Sequence, residues 1–152
     1  MNWLRWGIHE GFFRYVESIP DCTIEMTGGV TRTADGEFVF PAADTRYPDR
    51  NPGALHFAGR VTVWAYEGLL RVELINPVLD PNADGGLLLI ENPHRAGDLV
   101  AAARLGARSS ESGYITAAAT LTSQGTGWLS EGRYPGGTEV APVSWTPAQE
   151  LA

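Results

Sequence analysis

Apolar positions along the chain change their period once, near residue 20. Before that point they recur at helical spacing. Trp6, His9 and Phe13 stand at i, i+3 and i+7, with Phe12 and Tyr15 close by. The pattern predicts a helix over residues 2–17, with Asn2 as its N-cap and Ile19-Pro20 as its stop. Most helices bury an aliphatic stripe, whereas the face predicted here is aromatic.

From residue 22 onward the period shortens towards two. CTIEMT (22–27) alternates and ends at Gly28-Gly29, and VTRTA and EFVFP flank Asp35-Gly36, a strong hairpin signal. HFAGRVTVWAY (56–66) and LLRVELINP (69–77) flank a second hairpin signal, Glu67-Gly68. GGLLLIEN (85–92), DLVAAARLG (98–106) and GYITAAATLT (113–122) continue the meander. The second of these also fits a short helix, and its neighbours favour a strand. The loop over 41–54, proline-marked and bearing both charge signs, is long for a compact domain, a length often associated with function. The tail YPGGTEVAPVSWTP reads as extended. Regular short strands separated by Gly, Asn, Asp and Pro predict an all-β fold, an antiparallel sandwich or flattened barrel with one N-terminal α-helix. No repeat or linker divides residues 1–152, so a single domain is expected.

Composition narrows the class of partner. The net charge is −7, which argues against a nucleic-acid partner. All 11 basic residues are arginine, which reads as genome composition rather than mechanism. The single cysteine, Cys22, excludes an intramolecular disulfide and is expected as a buried thiol on a strand. The opening MNWLRWGIHEGFF lacks an unbroken apolar core of the secretory type, and no run approaches the ~20 apolar residues of a membrane span. As written, the sequence is expected to be soluble and cytoplasmic, without a membrane span.

Common catalytic and phosphate-binding signatures are missing: no nucleophile elbow, P-loop, dinucleotide fingerprint or H-E-x-x-H occurs. His9, His56 and His94 are far apart and lack ligand spacing, so a zinc site is not expected. His9 reads as a helix-surface residue, His56 as half exposed at the start of a strand, and His94 as a loop residue. Asp80 and Asp84 lack the ligand order of a calcium loop and read as an Asx turn. Four of the five tyrosines remain as candidates: Tyr15, Tyr47, Tyr66 and Tyr134. Each reads either as a core residue with a bonded hydroxyl or as a phenolate. A phenolate can ligate ferric haem, but with an ordinary pKa near 10 it needs a neighbouring His, Arg or Tyr to hold the anion.

Four stretches, in order and spanning nearly the whole chain, resemble the HtaA domain, a haem-binding module of actinobacterial haem uptake. They are WGIHEGFFRYV, GGVTRTADGEFVFP, FAGRVTVWAYEGLLRVELINP and YPGGTEVAPVSWTP. The resemblance implies that Tyr15 ligates haem iron and that Tyr134 lies beside the porphyrin. It also implies that the position of Tyr66 is one where the family carries a histidine, hydrogen-bonded to the ligating tyrosine. Tyr66 can donate a hydrogen bond but cannot supply an imidazolium charge. Phe12 and His9 are expected near the same pocket. Family members are normally exported, often with a C-terminal anchor, neither of which is read here.

The leading expectation is therefore non-catalytic binding of haem or a similar flat hydrophobic ligand beside the N-terminal helix. A cofactor-free cyclase or isomerase is the alternative, using Tyr15, Tyr66, His9 and Glu67 in a closed apolar cavity. A pocketless interaction module is a third reading. Two flat pockets facing each other are also compatible with a homodimer.

Overall fold

The computed structural model describes residues 2–43, 53–82, 85–129 and 133–147. Tyr47 and Asp84, both named above, lie outside the described residues, as does most of the long loop.

The first element is a strand, β1 (Trp3–Trp6), and not the start of a helix. Its side chains alternate between half-buried and buried, and it is hydrogen-bonded on both edges. Four residues with aromatic ends fit a pleated surface better than a helix start, and sheet neighbours on both sides decide the matter. The chain then turns through Ile8, whose φ of 65° lies in the left-handed region, into α1 (Glu10–Glu17). The N-cap is His9 rather than Asn2: its Nδ1 accepts the Phe12 N–H at 2.9 Å. Helical spacing across residues 6–13 thus ran a strand and a helix together.

The strands that follow are β2 (Thr23–Thr27), β3 (Thr31–Arg32), β4 (Phe38–Pro41), β5 (Leu55–His56), β6 (Arg60–Ala65) and β7 (Leu70–Ile75). Next come β8 (Val78–Asp80), β9 (Leu87–Glu91), β10 (Leu99–Glu111) and β11 (Tyr114–Leu121). The short α2 (Ser123–Trp128) precedes β12 (Glu139–Trp145). A nine-stranded sheet has the order β3-β4-β1-β12-β11-β10-β9-β8-β5, and a three-stranded sheet the order β2-β6-β7. All pairings within both sheets are antiparallel. The fold is mostly β, as the turn spacing predicted, and the stretch 98–106 is a strand. Both predicted hairpins form, β3–β4 around Asp35-Gly36 and β6–β7 around Glu67-Gly68.

Inward-facing residues of both sheets belong to one core, for example Val61, Val63 and Leu74 with Leu88, Ile90 and Val143. Trp6 is fully buried, stacks on Trp128 at 5.9 Å and donates its Nε1–H to the Ala141 carbonyl at 2.8 Å. Helix α2 was missed in the sequence because SQGTGW contains helix-weakening glycines. One of them is required: a Cβ on Gly125 would lie 2.1 Å from the Ala102 carbonyl oxygen, so only glycine lets the helix approach β10. Helix α1 is held by Phe13 against Phe38 at 5.5 Å and by an Arg32–Glu17 ion pair at 2.8 Å. Cys22 is half-buried just ahead of β2 rather than within a strand, and burial is the main cause raising its thiol pKa.

Candidate functional site

The site begins with the rotation of α1. Phe12, Phe13 and Val16 point into the core, which turns Tyr15 outward. Beyond Tyr15 the helix closes: the Ser18 backbone N–H and Oγ–H both donate to the Tyr15 carbonyl, at 3.1 and 2.6 Å. Pro20 prevents continuation, and Asp21 follows at once.

Asp21 shapes the other half of the site. The turn joining β6 to β7 places Tyr66, Glu67 and Gly68 at φ values of 54°, 57° and 92°. Non-glycine residues in this region are uncommon and costly. The Asp21 carboxylate offsets that cost by accepting the Tyr66 N–H at 2.9 Å and the Glu67 N–H at 2.8 Å. These bonds, Glu67 first and then Tyr66, hold the Asp21 carboxyl below its ordinary range. The left-handed turn brings the Tyr66 hydroxyl to 3.1 Å from that of Tyr15, although 51 residues separate them in sequence.

A third group completes the cluster. The Arg133 guanidinium lies over the Tyr15 ring, with Cζ 4.3 Å from the ring centroid. The hydrogen bond to Tyr66, followed by the influence of the nearby Arg133 guanidinium, lowers the Tyr15 pKa. The shared bond to Tyr15 raises that of Tyr66. Either hydroxyl can donate in the neutral pair, and a phenolate on Tyr15 would accept its hydrogen bond from Tyr66.

Tyr134, adjacent to Arg133 in the chain, packs on α1. Its ring lies 4.5 Å from His9 and 6.5 Å, edge-on, from Phe12. His9 is thus neither a free helix-surface residue nor a partner of Tyr15. Its Nδ1 lone pair is engaged in the cap, and burial lowers its pKa despite the nearby Glu10. Phe12 is fully buried and shapes the site from beneath.

Among the described residues, grooves of about 500, 560 and 680 Å³ are found, and these three are not lined by Tyr15, Tyr66, Tyr134, Phe12 or His9. The 680 Å³ groove runs beside α1, is formed with β3 and the β3–β4 turn, and uses a different face of the helix. Of the tyrosine pair, Tyr66 is 46% exposed, whereas Tyr15 is half-buried and packs against the core. A phenol oxygen that is accessible, hydrogen-bonded and next to a fixed cation is suited to binding a hard ferric centre.

Other expectations fall away from the cluster. Asp80 makes an Asx turn by accepting the Asn82 N–H at 3.1 Å, and His94 lies exposed in its loop. No group of three or more His, Cys, Asp or Glu side chains suited to a metal ion occurs among the described residues. No helix among the described residues is long and apolar enough to cross a membrane. Sequence reasoning missed Arg133 and Asp21. Adjacency to Tyr134 and to the Ile19-Pro20 stop were their only local signals, and neither reveals a contact across the fold.

The four ordered stretches and the fold built from them agree with a family model for HtaA, which matches residues 2–146. The chain belongs to the HtaA family. The structure is similar to that of the N-terminal domain of HtaA from Corynebacterium glutamicum, at 16% identity and a TM-score of 0.75, covering 97% of each chain. It is also similar to the heme binding protein HtaB from the same organism, at 19% identity and a TM-score of 0.70, covering 96% of each chain. The C-terminal domain of that HtaA matches with 18% identity and a TM-score of 0.70, covering 95% of this chain and 93% of the other. A variant of that domain has been solved as a domain-swapped dimer. No curated protein sequence matches this chain.

Proposed function

We propose that this HtaA-family protein binds haem, with the Tyr15 oxygen as the axial ligand to ferric iron. The observation that carries the reading is the 3.1 Å contact between the Tyr15 and Tyr66 hydroxyls at an open face of the fold. Haem supplies the ferric centre that a phenolate oxygen complements. Tyr15 presents that oxygen, and Tyr66 donates a hydrogen bond to it and so limits its basicity. Tyr134, packed on His9 and on the buried Phe12, provides an aromatic flank for a flat apolar ligand. The heme binding protein HtaB shares the fold, which supports the same ligand class here.

The test is a hemin titration of the purified protein followed by absorption spectroscopy, with Tyr15→Phe in parallel. The expected result is a saturating Soret band with phenolate charge-transfer absorption that the variant loses. Absence of a saturable spectral change in the wild-type protein overturns the reading.

A further inference from the structure

We propose that Arg133 is a positioning residue for the ligating tyrosine and provides the fixed positive charge that Tyr66 cannot. The inference rests on the reading of Tyr15 as the haem ligand. At the position of Tyr66 the family resemblance implies a histidine, a single side chain able to combine hydrogen-bond donation with a cationic charge. Here the two tasks fall on different residues. Tyr66 supplies the hydrogen bond at 3.1 Å, and Arg133 supplies the charge from the ring face, with Cζ 4.3 Å from the Tyr15 centroid.

Four features favour this division. The chain carries a formal net charge of −7, and Asp21 sits directly beneath the Tyr66 turn, so a second anion at Tyr15 needs local compensation. A guanidinium is suited to the task because its planar face stacks on an aromatic ring while its edge still donates a hydrogen bond. Its placement is also anchored. Tyr134, the next residue, packs on His9 at 4.5 Å and on Phe12 at 6.5 Å, and those residues cap and bury the helix that carries Tyr15. Arg133 is therefore tied through its neighbour to the same helix as the ring it covers. Its charge also persists across accessible pH, so the support is permanent and does not depend on an imidazole taking up a proton.

The test compares Arg133→Gln and Arg133→Lys with the wild type in two measurements. The first uses the apo-protein and follows the ¹³Cζ resonance of Tyr15, assigned with Tyr15→Phe, taking Tyr114 as a reference. The second uses the hemin-loaded protein and records affinity and the ferric/ferrous midpoint potential. Arg133→Gln is expected to displace the Tyr15 resonance while leaving Tyr114 in place. It should weaken hemin binding about tenfold, as loss of a partner to a ligand does, and lower the potential, because a guanidinium beside the phenolate limits its basicity and favours the more negative ferrous state. Arg133→Lys should recover part of both effects. In a Tyr66→His background, where a second cation becomes available, Arg133→Gln should cost less affinity.

An unchanged Tyr15 resonance together with wild-type affinity and potential in Arg133→Gln overturns the proposal. A full loss that Arg133→Lys does not relieve, with Tyr114 also displaced, overturns it in favour of a structural role. Failure of the haem reading is distinguishable, since wild-type protein would then bind no hemin. That outcome removes the ligand role for Arg133, while the apo-protein resonance still reports whether it sits on Tyr15.

Discussion

On its inner face α1 buries Phe12, Phe13 and Val16, whereas on its outer face Tyr15 meets the exposed Tyr66 and Arg133. Both faces are aromatic, but they are held differently. The inner rings are fixed by volume: Phe13 fits against Phe38, and nearby Trp6 is closed in by Trp128. The outer rings are fixed by direction, through one hydroxyl pair, one stacked cation and a turn pinned by Asp21. Packing tolerates small chemical changes that preserve volume, while the outer arrangement depends on single polar atoms. Damage to the inner face should therefore appear as lost stability, and damage to the outer face as lost binding.

The largest expected effect tests the inner side. Trp6→Ala removes a fully buried indole and the Nε1–H bond to Ala141, and should cost about 3–5 kcal/mol in a denaturant titration. If the loss were under about 1 kcal/mol, the contrast between the faces would collapse.

Next in size is the outer ligand itself. Tyr15→Phe should reduce hemin affinity by more than about 100-fold, beyond what an outer partner contributes, and Tyr66→Phe by about tenfold. Thermal midpoints of both variants should stay close to the wild type, because these hydroxyls meet at the surface. A parallel fall in melting temperature would show that the outer pair also supports the fold.

A smaller effect concerns the turn between the faces. Asp21 has a depressed pKa in the folded state, so its contribution is complete above the ordinary carboxylate value of about 4 and is lost as pH falls through the lower folded value. Acidification in that window, or Asp21→Asn at neutral pH, should shift the amide resonances of Tyr66 and Glu67 and weaken the hydroxyl pair. Amide shifts that stay constant from pH 6 to about pH 2 would remove Asp21 from the account.

The smallest effect uses the glycines of α2, which supports the inner side through Trp128. Gly127→Ala meets no atom within 4 Å and should stabilise by about 0.5–1 kcal/mol through helix propensity. Gly125→Ala, aimed at the Ala102 carbonyl, should instead destabilise by about 1–3 kcal/mol. Thermal denaturation of the two variants should move in opposite directions. Movement in the same direction would contradict the close approach of α2 to β10.

The all-β class and both marked hairpins were legible because alternation and turn chemistry are local properties. Asp35-Gly36 and Glu67-Gly68 report the chain reversals at which they stand. The aromatic character of α1 was legible too, but not its start. Trp6 matches helical spacing with His9 and Phe13, yet β4 and β12 recruit it into a sheet. Side-chain period cannot reveal hydrogen-bond partners that lie far along the chain, and α2 was hidden because a close approach required glycine in a helix.

The candidate tyrosines followed the same division. By itself the sequence determined that Tyr15 lies towards the end of an aromatic helix and that Tyr66 begins a reversal, since local spacing and turn residues encode both. Only the tertiary structure decided that their hydroxyls meet, that Asp21 holds the left-handed turn which makes this geometry attainable, and that Arg133 lies on the Tyr15 ring. Such contacts join residues on separate elements, and their geometry is set when the elements pack against the common core.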